Sequence, residues 1–172
     1  MTSKKKFYKI LIPISPIIIL FLLVFTGFNF SFNFYNLNFS FNLIYIVIFY
    51  WILKKPETLG YGLIFISGII NDVVQNLPIG ISSINFLLLC AIAAFVRTRT
   101  LLPNLLYDWI LFFIAILIIS SINYSILTLI FNIPIKYATL MYNSFTTFLI
   151  YPIFSKIFET IYLLYLRQAD AA

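Results

Sequence analysis

The stretch GIINDVVQNLPIG, residues 68–80, places a carboxylate inside a hydrophobic segment. The chain has sixteen charged residues, eleven basic and five acidic. Fifteen of them lie at or beyond the ends of long apolar runs, and Asp72 does not. An ionised side chain at membrane depth costs about 2.5–3.5 kcal/mol even on lenient insertion scales, so it usually faces protein or water. The surroundings of Asp72 therefore carry the most specific information in the chain.

Composition places the chain among membrane proteins. Its 172 residues are 63% hydrophobic and 9% charged, whereas soluble domains average about 25% charged residues. No polar stretch is long enough to fold separately, so residues 1–172 are expected to form a single integral membrane domain. The net charge of +6 is spread in small groups near segment ends, whereas a nucleic-acid-binding protein needs a basic face. The lone Cys90 lies in an apolar run and is interpreted as a small buried hydrophobe.

Six apolar runs predict an all-α polytopic membrane protein with six transmembrane helices, since lipid cannot satisfy free backbone groups. The spans cover approximately residues 10–28, 41–53, 61–74, 81–96, 107–130 and 137–166. The second and third runs are short on their own. The first run is longer than the core of a signal peptide, so it is expected to be retained as a span.

Basic residues are distributed unevenly over the predicted loops. The loops at residues 29–40, 75–80 and 131–136 contain a single basic residue, Lys136. The other side holds ten, namely Lys4, Lys5, Lys6, Lys9, Lys54, Lys55, Arg97, Arg99, Lys156 and Arg167. Cytoplasmic loops carry the excess of Lys and Arg, so both termini are expected to be cytoplasmic.

Residues 28–42 alternate aromatic and polar side chains almost strictly. A period of two favours an extended strand, which could lie along the lipid headgroups where aromatic side chains are enriched. An irregular low-complexity loop is the alternative, and the sequence does not decide between them.

The residues before Asp72 place it within helix packing. Tyr61, Phe65, Gly68 and Asp72 recur at spacings of four, three and four, which predicts that they share one helix face. Gly68, one turn before Asp72, would let a neighbouring backbone approach closely. A structural role, in which the carboxylate accepts amide hydrogen bonds, is favoured over a proton or ligand role because no second intramembrane charge can pair with it. Asparagine at position 72 is then expected to be the mildest replacement.

Two further groups of polar residues have ordinary interpretations. Residues 50–57 combine aromatic and basic side chains, which is typical of an interfacial belt. The serine pairs at residues 82–83 and 120–121 lack a neighbouring base and are expected to make core or interhelical hydrogen bonds. The remaining carboxylates at segment ends are expected to be solvated, namely Asp108, Glu159 and Asp170.

The chain offers no candidate catalytic residue, cofactor site or metal site. It contains no His, no Cys paired with a base, no Gly-rich phosphate loop and no metal-ligand cluster. An enzyme is therefore not expected.

Seven residues resemble the MreD family of bacterial rod shape-determining membrane proteins in order and spacing. They are Tyr50, Trp51, Pro56, Gly62, Gly68, Asp72 and Gly80. The chain departs from the family pattern at Asn76, where glycine is common, and at Ile79, where leucine is usual. Neither change removes charge or turn propensity. Chain length, six spans and cytoplasmic termini are compatible with the family over nearly the whole chain.

The resemblance implies a non-catalytic component of the machinery that elongates the lateral wall of rod-shaped bacteria. Such a protein lies in the inner membrane and associates with MreC, a single-span protein with a large periplasmic part. Through MreC it is linked to the MreB filament, a SEDS-family glycosyltransferase and a class B penicillin-binding protein. The family's fold is similar to the six-helix substrate-binding subunits of energy-coupling-factor vitamin transporters. The seven residues are then expected to have structural or partner-binding roles.

Two other functions stay open. A substrate-binding subunit of a vitamin transporter is compatible with that fold, although such subunits carry an alanine-x-x-x-alanine docking face in the first helix and this first span has no alanine. A small ion or proton pathway centred on Asp72 is the second. It would need several polar groups stacked through the membrane, whereas only Asn71 and Asp72 stand together.

Overall fold

The computed structural model describes residues 3–27, 30–34, 37–99, 105–133 and 136–171. Its elements are α1 (Ser3–Thr26), β1 (Phe30–Phe34), β2 (Leu37–Phe41), α2 (Leu43–Lys54), α3 (Tyr61–Gln75), α4 (Ile81–Arg99), α5 (Leu105–Ser125) and α6 (Tyr137–Ala171). A π-helical turn, Ile126–Ile130, continues α5. The six helices coincide with the six predicted apolar runs to within a few residues, apart from extensions at the ends of the first and last.

Helix α2 is the centre of the bundle. Every side chain from Ile46 to Leu53 is buried, and α2 packs against α1, α4 and α6. Its 12 residues extend over about 18 Å at 1.5 Å per residue, which is short of the ~30 Å hydrocarbon layer. The apolar character of α2 therefore serves packing inside the protein.

The outer helices expose apolar side chains. Helix α3 packs mainly on α4, and α5 packs mainly on α6. The opposite face of α5 carries Ile110, Ile114 and Ile118 at a spacing of four, and each is about half exposed. Among the described residues, three helical segments are long and apolar enough to cross a membrane by length and composition, namely Ile81–Arg99, Leu105–Ile130 and Tyr137–Leu164. The helical membrane class is confirmed, and the six-span topology stays a prediction.

Strands β1 and β2, here called the hairpin, pair antiparallel, with Phe30 opposite Phe41 and Phe34 opposite Leu37. Of the two interpretations left open, strand and irregular loop, residues 30–34 and 37–41 have the strand, and placement along the headgroups stays a prediction. Polar side chains of α6 bind the end of β2: the amide of Ser40 donates to Asn143 Oδ1 at 3.0 Å, and Thr146 Oγ1 donates to the carbonyl of Ser40 at 2.6 Å. The hairpin is thereby attached to α6.

The bundle has two chemically different ends. The hairpin end carries the β1–β2 hairpin and the turn at residues 76–80. The lysine end carries the last turns of α2 and α4, with Lys54, Lys55, Arg97 and Arg99. Odd-numbered helices run towards the hairpin end and even-numbered helices run back.

Candidate functional site

The carboxylate of Asp72, on α3, binds the first turn of α4. Its Oδ2 accepts a hydrogen bond from the amide of Gly80 at 2.7 Å, and its Oδ1 accepts one from the amide of Ser82 at 2.9 Å. The side chain is fully buried. Since the amide of Ile84 donates to the carbonyl of Gly80, Gly80 is the N-cap residue of α4. Asp72 therefore acts as a helix cap supplied from the neighbouring helix.

Elementary helix physics explains why a carboxylate is stable at this position. The first amides of a helix have no partner within the helix, and the aligned peptide dipoles favour negative charge there. Asp72 satisfies two of these amides through charge-assisted bonds, which are roughly twice as strong as neutral ones. The amide hydrogen bonds expected of the carboxylate are present.

A tight turn brings α4 back to Asp72. Asn76 ends α3 in the left-handed conformation, with φ 54°, and the amide of Leu77 donates to the backbone carbonyl of Asp72 at 2.9 Å. Gly80 has φ +105°, a conformation that side chains disfavour and glycine adopts freely. Asparagine is the usual second choice at such helix ends, so Asn76 fits where glycine is common.

Gly68 is the point of closest approach between α3 and α4. A Cβ on Gly68 would overlap Ser83 Cα and lie 2.6 Å from the Ser83 backbone nitrogen. The hydroxyl of Ser83 donates to the carbonyl of Phe65 at 3.0 Å, one turn along α3. The close approach predicted at Gly68 is confirmed, and it sets the distance at which Asp72 reaches the start of α4.

The face of α3 that packs against α4 differs from the predicted one. Tyr61 and Phe65 were expected beside Gly68 and Asp72, but their side chains are 56% and 44% exposed. The two aromatic residues therefore lie on a flank of the face that the packing leaves largely open. The buried face consists of Ile64, Ser67, Gly68, Asn71 and Asp72.

Tyr50 and Trp51 form an aromatic cluster near the lysine end. Both side chains are buried, and both rings contact Phe158 on α6, at centroid distances of 5.5 and 6.4 Å. Trp51 also meets Tyr162 edge to face. The interpretation as an interfacial belt is wrong for this pair, because the rings join α2 to α6 inside the protein.

An ion pair next to this cluster links α2 to α5. Lys54 Nζ lies 2.7 Å from Asp108 Oδ2, and the Asp108 side chain is almost completely buried. Asp108 lies in the first turn of α5, where the helix dipole also favours a carboxylate. The expectation that Asp108 is solvated is therefore wrong. Glu159 is exposed as expected, and the side chain of Asp170 lies outside those that the structure describes.

The seven motif residues separate into two groups. Gly68, Asp72 and Gly80 meet where α3 packs against the start of α4. Tyr50 and Trp51 lie in the aromatic cluster, and Pro56 is half-buried in the loop that follows α2. Gly62 is exposed, and nothing lies within 4 Å of a Cβ placed on it. A partner-binding role for these positions stays a prediction.

Several polar residues of the site were not singled out for it by the sequence. Asn71 Nδ2 donates to Ser82 Oγ at 2.8 Å, beside the Asp72 cap. The hydroxyls of Ser120 and Ser144 bond between α5 and α6 at 2.7 Å, and Ser121 is exposed. Interhelical bonding is confirmed for the first three of the four predicted serines. The available signal was the recurrence of Asn and Ser within one turn of each other in runs that are otherwise apolar.

The arrangement is suited to holding helices together. Within the described parts of the chain, no three His, Cys, Asp or Glu side chains lie close enough to hold a metal ion. Both oxygens of the Asp72 carboxylate accept backbone hydrogen bonds, and the carboxylate of Asp108 forms an ion pair with Lys54. Both buried acids thus connect helices.

The chain matches a known protein family. A family model described as rod shape-determining protein MreD matches residues 4–161, nearly the whole chain. No curated protein and no solved structure matches the chain at a significant level.

Proposed function

Because the chain belongs to the family of the rod shape-determining protein MreD, we propose that it is a non-catalytic component of the bacterial cell-elongation complex. It works in the inner, cytoplasmic membrane and supports lateral peptidoglycan synthesis through an MreC-like single-span partner. That partner connects it with an MreB-like filament, a SEDS glycosyltransferase and a class B penicillin-binding protein. The family match over residues 4–161 is the observation that carries this proposal.

The packing of the bundle supports an assembly role. The two carboxylates that are buried in the described part of the chain, Asp72 and Asp108, each join two helices, and the central helix α2 has little exposed surface. The outer faces of α1, α3, α5 and α6 expose large apolar side chains. Such faces suit lipid and the apolar helix of a single-span partner, since helices associate in membranes through close packing.

Charge supports an orientation for this complex. The lysine end holds most of the basic residues, and the loops at the hairpin end hold Lys136 alone. Under the positive-inside rule the lysine end faces the cytoplasm and the hairpin end faces the periplasm. A partner with a large periplasmic part would then meet the hairpin end outside the bilayer.

A substrate-binding subunit of a vitamin transporter is the second candidate function. A polar cavity at the hairpin end, lined by residues of α2 to α6, is the observation that favours it. Against it stands the first helix, Ser3–Thr26, which contains no alanine for a docking face.

Affinity purification separates the two functions. The tagged protein is extracted in mild detergent from its host, and the eluate is analysed for proteins by mass spectrometry and for vitamins by liquid chromatography. A tagged six-span protein of equal abundance is the control. We expect a single-span protein with a large periplasmic domain, enriched over the control. A stoichiometric vitamin without any single-span partner would replace the proposal with the transporter function.

A further inference from the structure

A polar, partly open cavity of about 280 Å³ lies at the hairpin end, lined by the end of β2 and by helices α2 to α6. Its lining contrasts with the apolar exterior of the same helices. Asparagine, glutamine, serine and threonine side chains supply more than half of its residues, and none of the residues lining it is charged. A polar lining without charged side chains determines which ligands this cavity can hold.

Three buried carboxamide oxygens in this lining have no hydrogen-bond donor. They are Oδ1 of Asn71 on α3, of Asn85 on α4 and of Asn123 on α5. The side chains of Asn71 and Asn85 are more than nine-tenths buried. A buried acceptor without a donor destabilises the fold, and native structures contain few of them. Three of them occur on side chains from three helices around one cavity, so a donor bound there would relieve an unfavourable arrangement.

The lining specifies the chemistry of that group. The lining has no charged side chain that would balance the charge of a buried ion, so a neutral ligand fits it better than an ion. Hydroxyl groups both donate and accept, so they pair with either end of a carboxamide and with the hydroxyls of Ser82 and Ser120. Phe86, Ile116 and Leu140 line the same space and suit the C–H face of a ring.

We propose that this cavity binds a neutral, hydroxyl-rich ring of about the size of one sugar or cyclitol, either free or as the headgroup of a glycolipid. A cavity of 280 Å³ corresponds to about nine waters at ~30 Å³ each, which is enough for one such ring. The cavity lies at an end of the helix bundle, where a lipid-linked ring would reach it if that end lies at the headgroups. The site goes beyond the proposed function and does not depend on it.

Binding is measured on the full chain in phosphatidylcholine nanodiscs, purified without glycosidic detergents because their sugar headgroups would compete. Tritiated glucose and myo-inositol test the free ring by equilibrium dialysis. Nanodiscs with and without monoglucosyl diacylglycerol test the lipid-linked ring through the thermal unfolding midpoint. Glucose 6-phosphate is the charged control. We expect saturable binding of a free ring, a raised midpoint with the glycolipid, or both, and at least tenfold weaker binding of glucose 6-phosphate.

Two variants and a matched control locate the site. Asn85→Leu removes one unpaired oxygen at similar volume, so it should weaken binding about fivefold to tenfold and leave the unfolding midpoint of the empty protein equal or higher. Ser120→Ala should also weaken binding, whereas Ser121→Ala, at the exposed neighbouring serine, should not.

Three results would overturn the proposal: no binding or stabilisation by any of the neutral probes, equal binding of glucose 6-phosphate, or wild-type binding by both Asn85→Leu and Ser120→Ala. Binding of free rings alone identifies a soluble ligand, and stabilisation by the glycolipid alone identifies a lipid headgroup. Both of these outcomes support the shared chemistry. Because these measurements use purified protein, they are independent of any effect on cell shape.

Discussion

The carboxylate of Asp72 is buried in an apolar bundle. In the described structure no Lys or Arg side chain forms an ion pair with it. Its charge is balanced by backbone amides of Gly80 and Ser82 at the start of α4. Those amides would otherwise be unsatisfied at a helix end, so acid and helix end compensate each other. A structural role therefore explains an intramembrane acid that composition alone marks as exceptional.

Replacements of Asp72 should follow a fixed order of stability. The sequence favours Asp72→Asn as the mildest change, but both carboxylate oxygens accept amide bonds, and asparagine would turn an NH₂ donor towards one of the two amides. We expect a loss of about 1–3 kcal/mol for Asp72→Ala, which strands both donors, and an intermediate loss for Asp72→Asn. The measurement is thermal unfolding of the purified variants. Wild-type stability of Asp72→Asn would show that one of the two bonds contributes nothing.

Gly68 and Gly62 offer a matched pair on one helix. Gly68→Ala forces a methyl group into the backbone of Ser83, and overpacking of this kind costs about 1–3 kcal/mol. Gly62→Ala meets nothing within 4 Å and should stabilise the exposed helix by up to about 1 kcal/mol. Thermal unfolding midpoints of the two variants, measured side by side, test the expected loss of stability in one and the expected gain in the other. Equal midpoints for the two variants would show that Gly68 is not the contact that sets the distance between α3 and α4.

The residue pattern predicted this contact but not the whole face around it. Gly68 and Asp72 belong both to the predicted set with Tyr61 and Phe65 and to the observed set with Ile64. The helical period is compatible with burial of the residues on either side of Gly68 and Asp72. Only the position of α4 decides which side is buried. That position depends on the turn at residues 76–80 and on Asp72 itself, which is tertiary information.

At the level of elements, apolarity does not distinguish a lipid-facing helix from a central one. The run that became α2 was predicted as a transmembrane span, and its 12 residues form a helix that the protein buries on almost every side. Its shortness was the available signal, because segments of 10–14 residues are more often core helices than spans. Burial itself depends on the packing of α1, α4 and α6 around it.

The β1–β2 hairpin, too, could be predicted only in part from the sequence. Alternation over residues 28–42 indicated extended structure as one of two interpretations, because the period of two is local. Its attachment was not predictable: the amide of Asn42 donates to Thr147 Oγ1 at 3.0 Å, from 105 positions away. Thr147 is buried on α6, and nothing in the sequence distinguishes it from the other polar residues of that helix.

Thr147→Val should therefore loosen the hairpin. Valine keeps the shape but leaves the amide of Asn42 without its acceptor, at a cost of about 1–3 kcal/mol. The exposed Thr160, whose hydroxyl bonds only within α6, supplies the control Thr160→Val, for which we expect little change. Hydrogen exchange at residues 40–42 and thermal unfolding report the difference. Unchanged exchange in Thr147→Val would show that the bond does not hold the hairpin.

At the scale of the whole molecule, the two ends of the bundle differ in charge, and this difference predicts orientation. We expect a reporter that is active only in the periplasm to give no signal when fused after Ala172, because the ten-to-one excess of basic residues places both termini in the cytoplasm. Fusion of the same reporter after Asn132, at the hairpin end of α5, should be active. Strong activity of an intact Ala172 fusion would mean an odd number of spans.

The shape of cells depleted of the protein tests its role most directly. The native copy is depleted in its rod-shaped host while plasmids supply wild-type protein, Gly62→Ala or Gly68→Ala, and the ratio of cell length to width is measured together with membrane abundance. We expect depleted cells to become spheres, wild type and Gly62→Ala to restore rods, and Gly68→Ala to restore them less well in proportion to its lost abundance. Depleted cells that remain rods while vitamin uptake fails would contradict the rod-shape function.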